Sequence, residues 1–398
     1  MSEELKPMPH AYIVAGLRTA GARRKGRLAN VHPADLAASV LNALVKRSDI
    51  DPAMIEDVIM GCVGQAGEQS QNIARNAILA SMLPENVPGV SVDRQCGSSQ
   101  QALHFAVQAV MSGTQDVVIA AGVEHMTRVP MMTPSILAEQ AGLGSYYKAQ
   151  GIKTRYPDIQ FSQFTGAEMV ARKYGLTRDA MDRFALESHR KAAAATKAGA
   201  FNDEIVPIPV ALLQGGEDLH TVDEGIRFDA TLERIASVEP ITPGGLLTAA
   251  TASQLCDGAS GVLVMNEKAL KATGVEPLAR IHHISVIGHD PVIMLEGPIP
   301  ATARALNRCG MKINDIDLFE VNEAFASIPM AWLQATEADP VRVNPNGGSI
   351  ALGHPLGGTG TKLMATLVHA LKARGKRFGL QTMCEGGGLS NVTIVERL

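Results

Sequence analysis

Four short segments of this chain hold side chains able to do chemistry, each where an apolar run gives way to glycine or polar residues. The first is Ser91 to Ala102, which reads as a strand end, a short loop and small polar residues opening a helix, with Cys96 at the helix N-terminus. Unpaired backbone N–H groups and the positive end of the helix dipole favour thiolate there, so the sulfur is expected to be nucleophilic near neutral pH. A buried cysteine also serves as a small hydrophobe. The second segment, Asn344 to Gly360, surrounds His354 with glycine and proline. Such a loop lets backbone approach a ligand and holds an imidazole where it can act as a base. No Gly-Lys-Ser/Thr follows it, and its glycine spacing fits no dinucleotide fingerprint.

The third segment is Cys384-Glu385-Gly386-Gly387-Gly388, directly after the apolar run Gly379 to Met383. It places a second thiol at a strand end, beside bare N–H groups that can stabilise an oxyanion. The fourth, Asn322-Glu323-Ala324-Phe325-Ala326 after Leu318 to Val321, adds a side-chain amide at another strand end. If the four converge, they supply one activated thiol, one imidazole, a second thiol and two sets of neutral donors. That inventory fits a carbon–carbon bond reaction between thioesters better than proteolysis, which needs one nucleophile and one base. A Claisen-type reaction also needs a group that moves a proton at the α-carbon and oxyanion sites for two carbonyls.

The elements that must position these residues follow an α/β pattern. Short apolar runs (Ile13 to Gly16, Val58 to Val63, Val117 to Gly122, Val262 to Met265, Gly379 to Met383) alternate with amphipathic stretches such as Pro33 to Arg47. Part of the pattern recurs. Ile313, Asp315, Ile316 and Leu318 echo Ile55, Asp57, Val58 and Met60 about 258 residues earlier. Val90 to Val92, a helix from about Gln100 to Met111 and a strand Asp116 to Gly122 are matched by Val341 to Val343, a helix from about Gly360 to Leu371 and a strand Arg377 to Met383. The repeat predicts a duplicated α/β domain with a pseudo-twofold relation. Met, Pro, Gly and Tyr clusters and a long helical stretch Ala167 to Ala200 set roughly 127–254 apart as an inserted loop domain. The expected division is 1–126 for the N-terminal half of the core, 127–254 for the insertion with its return into that half, and 255–398 for the C-terminal half.

Composition excludes several classes. The 398 residues are 46% apolar and 19% charged with net charge −4, so generic phosphate neutralisation is not the basis of binding and nucleic acid is not the expected partner. No run approaches a membrane span, and Met1 to His10, with Glu3, Glu4 and two prolines, is unlike a secretory leader. Five scattered cysteines with no CxxC pair indicate neither a disulfide framework nor a metal site, and point to a reducing, cytoplasmic compartment. Arg18, Arg23, Arg24, Lys25 and Arg27 stand in a stretch, Leu5 to Ala34, without acidic residues; it is read as folded protein with a basic surface rather than a presequence.

Taken together, the four segments resemble the four signature blocks of the thiolases, in that family's order, with similarity from about Ala11 to Leu398. The resemblance implies a five-layered α-β-α-β-α core of two similar halves with a loop domain between them. It implies Cys96 as the acyl-accepting nucleophile, His354 as its activator and part of an oxyanion hole, and Cys384 as the acid/base at the α-carbon. Asn322 would hold a water that binds the thioester oxygen with His354, and the backbone N–H groups of Cys96 and Gly386 would form the other hole. Coenzyme A, a co-substrate rather than a bound cofactor, would be contacted by Ser253, Arg227 and Phe325, the last of which serves equally as core packing. No metal or prosthetic group is implied. Dimers that pair into tetramers are usual in the family, and the apolar Val129 to Met132 is a candidate contact; a hydratase–dehydrogenase is a candidate partner.

The expected activity is thiolytic cleavage of 3-ketoacyl-CoA, as in fatty acid and lipid β-oxidation. The alternatives are a short-chain acetoacetyl-CoA thiolase working in the biosynthetic direction and a non-catalytic acyl-CoA- or lipid-binding subunit. The chain departs from the family pattern at Ser99, where Gly is usual, and at Glu385, where Ala or Ile is common and where a carboxylate turned toward the sulfur would raise its pKa. Phe161 to Gly166 stands where short-chain biosynthetic thiolases carry His-Met-Gly, which favours the degradative branch.

Overall fold

Strict alternation along the strands decides which side chains face which layer. In Val117–His125, Val117, Ile119, Ala121 and Val123 pack to one side with the helices Pro33–Ser48 and Ile73–Leu79, while Val118 and Ala120 pack to the other. The neighbouring strand Cys256–Met265 divides in the same way, with Leu263 and Met265 on the first side and Val262 and Val264 on the second. A sheet apolar on both faces must be covered on both. The computed structural model, which describes residues 9–211 and 215–398, resolves this into five layers. Met1 to Met8, which carry most of the segment read as unlike a leader, lie outside the described residues.

Two four-strand units share one topology. In the first, Asp57–Gly61 runs parallel to Val117–His125, which is antiparallel to Cys256–Met265, itself antiparallel to Tyr12–Thr19. In the second, Leu318–Val321 runs parallel to Phe378–Glu385, which is antiparallel to Leu389–Arg397, itself antiparallel to Ala279–Gly288. The two units touch edge to edge where Tyr12 and Ile13 pair with Arg280 and Ala279. Strand Gly89–Val92 extends the first unit beside Asp57–Gly61. Its expected counterpart at Val341 to Val343 is instead a 3-10 turn, Pro340–Arg342, with a single parallel bridge from Val343 to Phe319. Pro340 there has no N–H to give to a ladder. The first unit also includes Cys256–Met265, so the boundary expected at 254/255 falls just before a strand that hydrogen-bonds into the N-terminal sheet.

The helices Ser98–Ser112 and Thr359–Ala373 form the central layer. Ala102, Leu103, Ala106 and Val107 of one meet Met364, Leu367, Val368 and Leu371 of the other between the two sheets. The helix Pro298–Cys309 and Trp332 of Ser327–Thr336 cover the outer face of the second sheet through Phe319, Val321, Leu380 and Ile394. The insertion holds helices Thr133–Gln140, Gln150–Arg155, Gln163–Lys173 and Arg178–Lys197. The long helix expected over Ala167 to Ala200 is therefore two, broken at Gly175, whose φ of +63° ends the first. Of the apolar run Val129 to Met132, Val129 is buried in the core and Met132 is exposed. Among the described residues no helix is long and apolar enough to cross a membrane.

At their N-termini the two central helices meet backbone to backbone. A Cβ on Gly360 would overlap the backbone nitrogen of Gln100, and one on Gly122 would overlap the carbonyl of Gly357. Gly360→Ala is therefore expected to lower the unfolding free energy by about 3 kcal/mol in urea titration. Gly151→Ala, at an open helical position, should change it by less than about 0.5 kcal/mol; equal effects would show that the helices do not meet this closely.

Candidate active site

Cys96 stands on a tight elbow between strand Gly89–Val92 and helix Ser98–Ser112. Gln95 takes φ +50°, its N–H donates to Asp93 Oδ1 at 2.7 Å, and the Ser98 hydroxyl accepts from Arg94 N–H while donating to Gln95 O. The elbow buries the sulfur against Leu363, Met383 and Leu356. Burial, then the nearby Glu385 carboxyl, pushes the thiol up to about 12, against the opposing pull of the backbone N–H groups of Cys96 and Gly386 beside the sulfur. This overturns the expectation of a thiolate at neutral pH: desolvation and a neighbouring carboxyl outweigh the helix end. Cys96 rests as a thiol and needs a base at the moment of attack.

His354 has the form such a base requires. It lies within the glycine loop, with its backbone N–H donating to Gln254 O at 3.0 Å. Thr359 Oγ1 donates its proton to Pro355 O at 2.9 Å, so at its 2.6 Å contact with His354 Nδ1 it accepts. With the Thr359 proton assigned to Pro355 O, the ring carries its proton on Nδ1 and leaves Nε2, buried without a partner, as the acceptor. Burial, then the Lys362 cation, lowers the imidazole to about 3, so it is neutral at physiological pH. Leu356, two residues on, packs against Cys96.

Cys384 is the penultimate residue of strand Phe378–Glu385 and is fully buried. Burial raises its pKa well above that of an ordinary thiol, and charge on Cys96 and on Glu385 raises it further, which places the two sulfurs in one site. Asn322 follows strand Leu318–Val321; its Oδ1 accepts from Ser349 Oγ at 2.6 Å, while Nδ2 is buried and unpartnered, a free donor. Ser349 opens the short helix Ser349–Leu352 that leads into His354. Two neutral donors, the Gly386 N–H and the Asn322 amide, thus accompany two protonated thiols and one unprotonated imidazole. Such a set suits proton transfers between neutral groups and stabilisation of a developing oxyanion.

The other candidates are placed unequally. Ser253 N–H donates to Ala324 O at 2.9 Å and Ala252 bridges to Phe325, so the segment Thr251 to Leu255 is stitched between Asn322 to Ala326 and the His354 loop. Phe325, 3% exposed, packs edge-on against Phe164 at 5.7 Å, which makes it chiefly a core residue. Arg227 is exposed on the insertion, and its N–H donates to His189 Nδ1 at 3.1 Å. Among the described residues no His, Cys, Asp and Glu group could hold a metal ion.

Three residues that sequence reasoning did not single out support the set. Thr359 and Ser349 orient His354 and Asn322, and neither carries a signal beyond its place in the glycine loop. Lys362 does: it is a lysine on the inward stripe of a central helix, beside Leu363 and Met364. Its ammonium group donates to the carbonyls of Leu352 (2.5 Å) and Gly353 (3.0 Å), the two residues before His354. It also lies 3.9 Å from Asp223, which pairs with Arg18 at 2.9 Å; Arg18 pairs with Glu204 at 2.5 Å. Burial would raise the Asp223 carboxyl, but Arg18 and Lys362 hold it below the ordinary range. Its share of stability is thus present at neutral pH and lost as pH falls below the usual carboxylate range.

Family models agree with the whole-chain architecture. The thiolase N-terminal domain matches residues 11–268 and the thiolase C-terminal domain residues 275–397. The steroid 3-ketoacyl-CoA thiolase FadA6 of Mycobacterium tuberculosis is 52% identical over 392 residues, 98% of this chain and 95% of that protein. The 3-ketoacyl-CoA thiolase of Bacillus subtilis is 40% identical over 98% of this chain and 100% of its own length. Among solved structures, human mitochondrial 3-ketoacyl-CoA thiolase superposes with a TM-score of 0.88 at 33% identity, covering 98% of this chain and 100% of that one. The acetyl-CoA acetyltransferase of Bacillus anthracis gives 0.90 at 35% identity, covering 99% and 100%.

Because Lys362 both neutralises Asp223 and ties down the approach to His354, Lys362→Met is expected to cost about 3–5 kcal/mol at pH 7. The difference from the parent should shrink only as the pH falls below the usual carboxylate range, because Asp223 in the parent stays ionised through that range. Chemical denaturation followed from pH 7 downward checks this, and a loss under about 1 kcal/mol at pH 7 would refute it.

Proposed function

The chain belongs to the thiolase family, and on that footing we propose that it is an acetyl-CoA C-acyltransferase that cleaves 3-ketoacyl-CoA with coenzyme A, through an acyl-Cys96 intermediate. The observation that carries the reading is the proton arrangement. Cys96 is a thiol whose sulfur meets the Gly386 N–H, a second thiol shares its site, and His354 is neutral with Nε2 bare.

In the proposed reaction Cys96 Sγ attacks the 3-keto carbon as its proton passes to His354 Nε2. The C2–C3 bond breaks, and its electron pair leaves with the acetyl-CoA fragment as an enolate, which takes the proton of Cys384. Acetyl-CoA departs and the shortened acyl group stays on Cys96. The incoming coenzyme A gives its thiol proton to the Cys384 thiolate and attacks the acyl carbon, and Cys96 leaves, recovering its proton from His354. The N–H groups of Cys96 and Gly386 would bind one oxyanion; Asn322 Nδ2, through a water, and His354 would bind the other. Coenzyme A enters as co-substrate, with Ser253 and Arg227 as its proposed contacts and Phe325 packing behind the pantetheine arm.

The 52% match to a protein named as a steroid 3-ketoacyl-CoA thiolase supports a degradative role on long or bulky acyl groups. The aromatic Phe161 and Phe164, which pack in the cluster that also holds Cys384, support it as well. The family likeness further supports a cytoplasmic homodimer or homotetramer that passes intermediates to or from a hydratase–dehydrogenase.

Cys96→Ala is expected to abolish turnover, and Cys384→Ala to lower kcat by at least about a thousandfold while acylation of Cys96 persists. Near-normal thiolysis by Cys384→Ala would remove the second thiol from the mechanism. Acetoacetyl-CoA, 3-ketodecanoyl-CoA and a ring-bearing 3-ketoacyl-CoA, each offered with coenzyme A, should be cleaved with the two larger substrates faster. Cleavage of acetoacetyl-CoA alone would establish the short-chain reading.

A further inference from the structure

Glu385 is a carboxyl group for which the reaction above has no use. It is fully buried, and neither oxygen has a hydrogen-bond partner. Its carboxyl is pressed against the nucleophile's own elbow: a Cβ on Gly97 would overlap Oε1 and lie 2.5 Å from Cδ. Its chain neighbours are Cys384 and Gly386, the second thiol and the donor that meets Cys96. A buried carboxyl without partners is an expensive place for charge and a cheap one for a proton.

We propose that Glu385 is a positioning residue that controls the ionisation of both reacting thiols, permitting it as a neutral acid and opposing it as a carboxylate, and so sets the upper pH limit of the reaction. This rests on Cys96 and Cys384 being the reacting thiols. The groups that face Glu385 are few. Cys384 lies on its own strand, and Cys96 and Arg94 come from the turn before the central helix, where Asp93 acts on Cys96. The first turn of that helix carries no acidic residue, and the facing strand Leu389–Arg397 presents the uncharged Asn391. Arg94, half-buried with an unpartnered Nε, is the one cation among them.

Burial raises the Glu385 carboxyl to about 8, against the pull of Arg94 and of the nearby Asn391 N–H. At pH 7 the group is therefore largely protonated and adds little charge to the site. As the pH rises through about 8 it ionises, and a carboxylate beside two sulfurs raises the energy of either thiolate. Two steps of the mechanism suffer: attack by Cys96, and formation of the Cys384 thiolate when the enolate takes its proton.

The test follows alkylation of Cys96 by iodoacetamide from pH 6.5 to 10, with the modified peptide located by mass spectrometry. In the parent protein the logarithm of the rate should climb with unit slope to about pH 8, flatten for about one pH unit while Glu385 ionises, and then climb again on a displaced line once that charge is complete. In Glu385→Gln the climb should continue unbroken, leaving the variant about tenfold faster at pH 9.5, the equivalent of about one pKa unit on the thiol. The alkaline fall of kcat in thiolysis should move upward in the same variant with little change in KM. Arg94→Gln, which leaves Glu385 in place but removes its cation, should shift the bend to higher pH, and it serves the test if the Glu385 variant does not fold.

Superimposable profiles for the parent and Glu385→Gln would overturn the proposal, as would an unmoved bend in Arg94→Gln. A protein that shows the bend but cleaves no ketoacyl-CoA would retain the proposal and fail the assigned activity, so the two are read separately.

Discussion

The site depends on a contact between backbones. Cys96 sits at the start of one central helix and His354 just before the other, so the distance between those helix starts sets the relation of thiol to imidazole. Gly61 and Gly122 on two strands of the first sheet, and Gly357 and Gly360 at the head of the second helix, leave no room for a Cβ between them. The Glu124 carboxylate secures the same junction from the side, accepting from the N–H groups of Val63, Gly64 and Gly357. Glycines that suggest a ligand-binding loop in sequence thus bring one half of the protein against the other, and the ligand site is the space that remains beside them.

Charge is managed by separating it from the reacting atoms. Buried thiols and a buried imidazole all favour their neutral forms, so the reaction begins without an ion pair and each proton moves only when a bond is made or broken. The full charges stand behind the histidine, where Arg18, Glu204, Asp223 and Lys362 balance one another out of water and hold the carbonyls of Leu352 and Gly353. Removing one partner from such a cluster costs more than the pair is worth, because the remaining charge is left buried. The same cluster links the first strand to the insertion, so the base is braced from two directions.

The insertion does more than cover a face. Ala167, Val170, Met181 and Leu186 pack with Phe325, Ala326 and Cys384 in one apolar cluster, closing the ends of the strands that carry Asn322 and the second thiol. Exclusion of water there raises the pKa of the Cys384 thiol, and it makes an uncompensated carboxyl such as the adjacent Glu385 felt by its neighbours.

Residue type and period were enough to give the sequence its architecture: short apolar runs marked the strands, a recurrence of about 258 residues marked the duplication, and four segments where such runs give way to glycine or polar residues marked Cys96, Asn322, His354 and Cys384. These properties are local, or repeat at fixed separation, and survive in a linear string. What depends on distance between remote segments was not legible. The protonation of Cys96 turned on burial and on a carboxyl 289 residues away, and so reversed the expectation drawn from its helix end. The tautomer of His354 was decided by the geometry of Thr359 and Pro355, and the brace at Lys362 by a fold that brings residues 18, 204, 223 and 362 together. A sequence names the groups that can ionise; only the packed structure sets the solvent and the neighbours that determine whether they do.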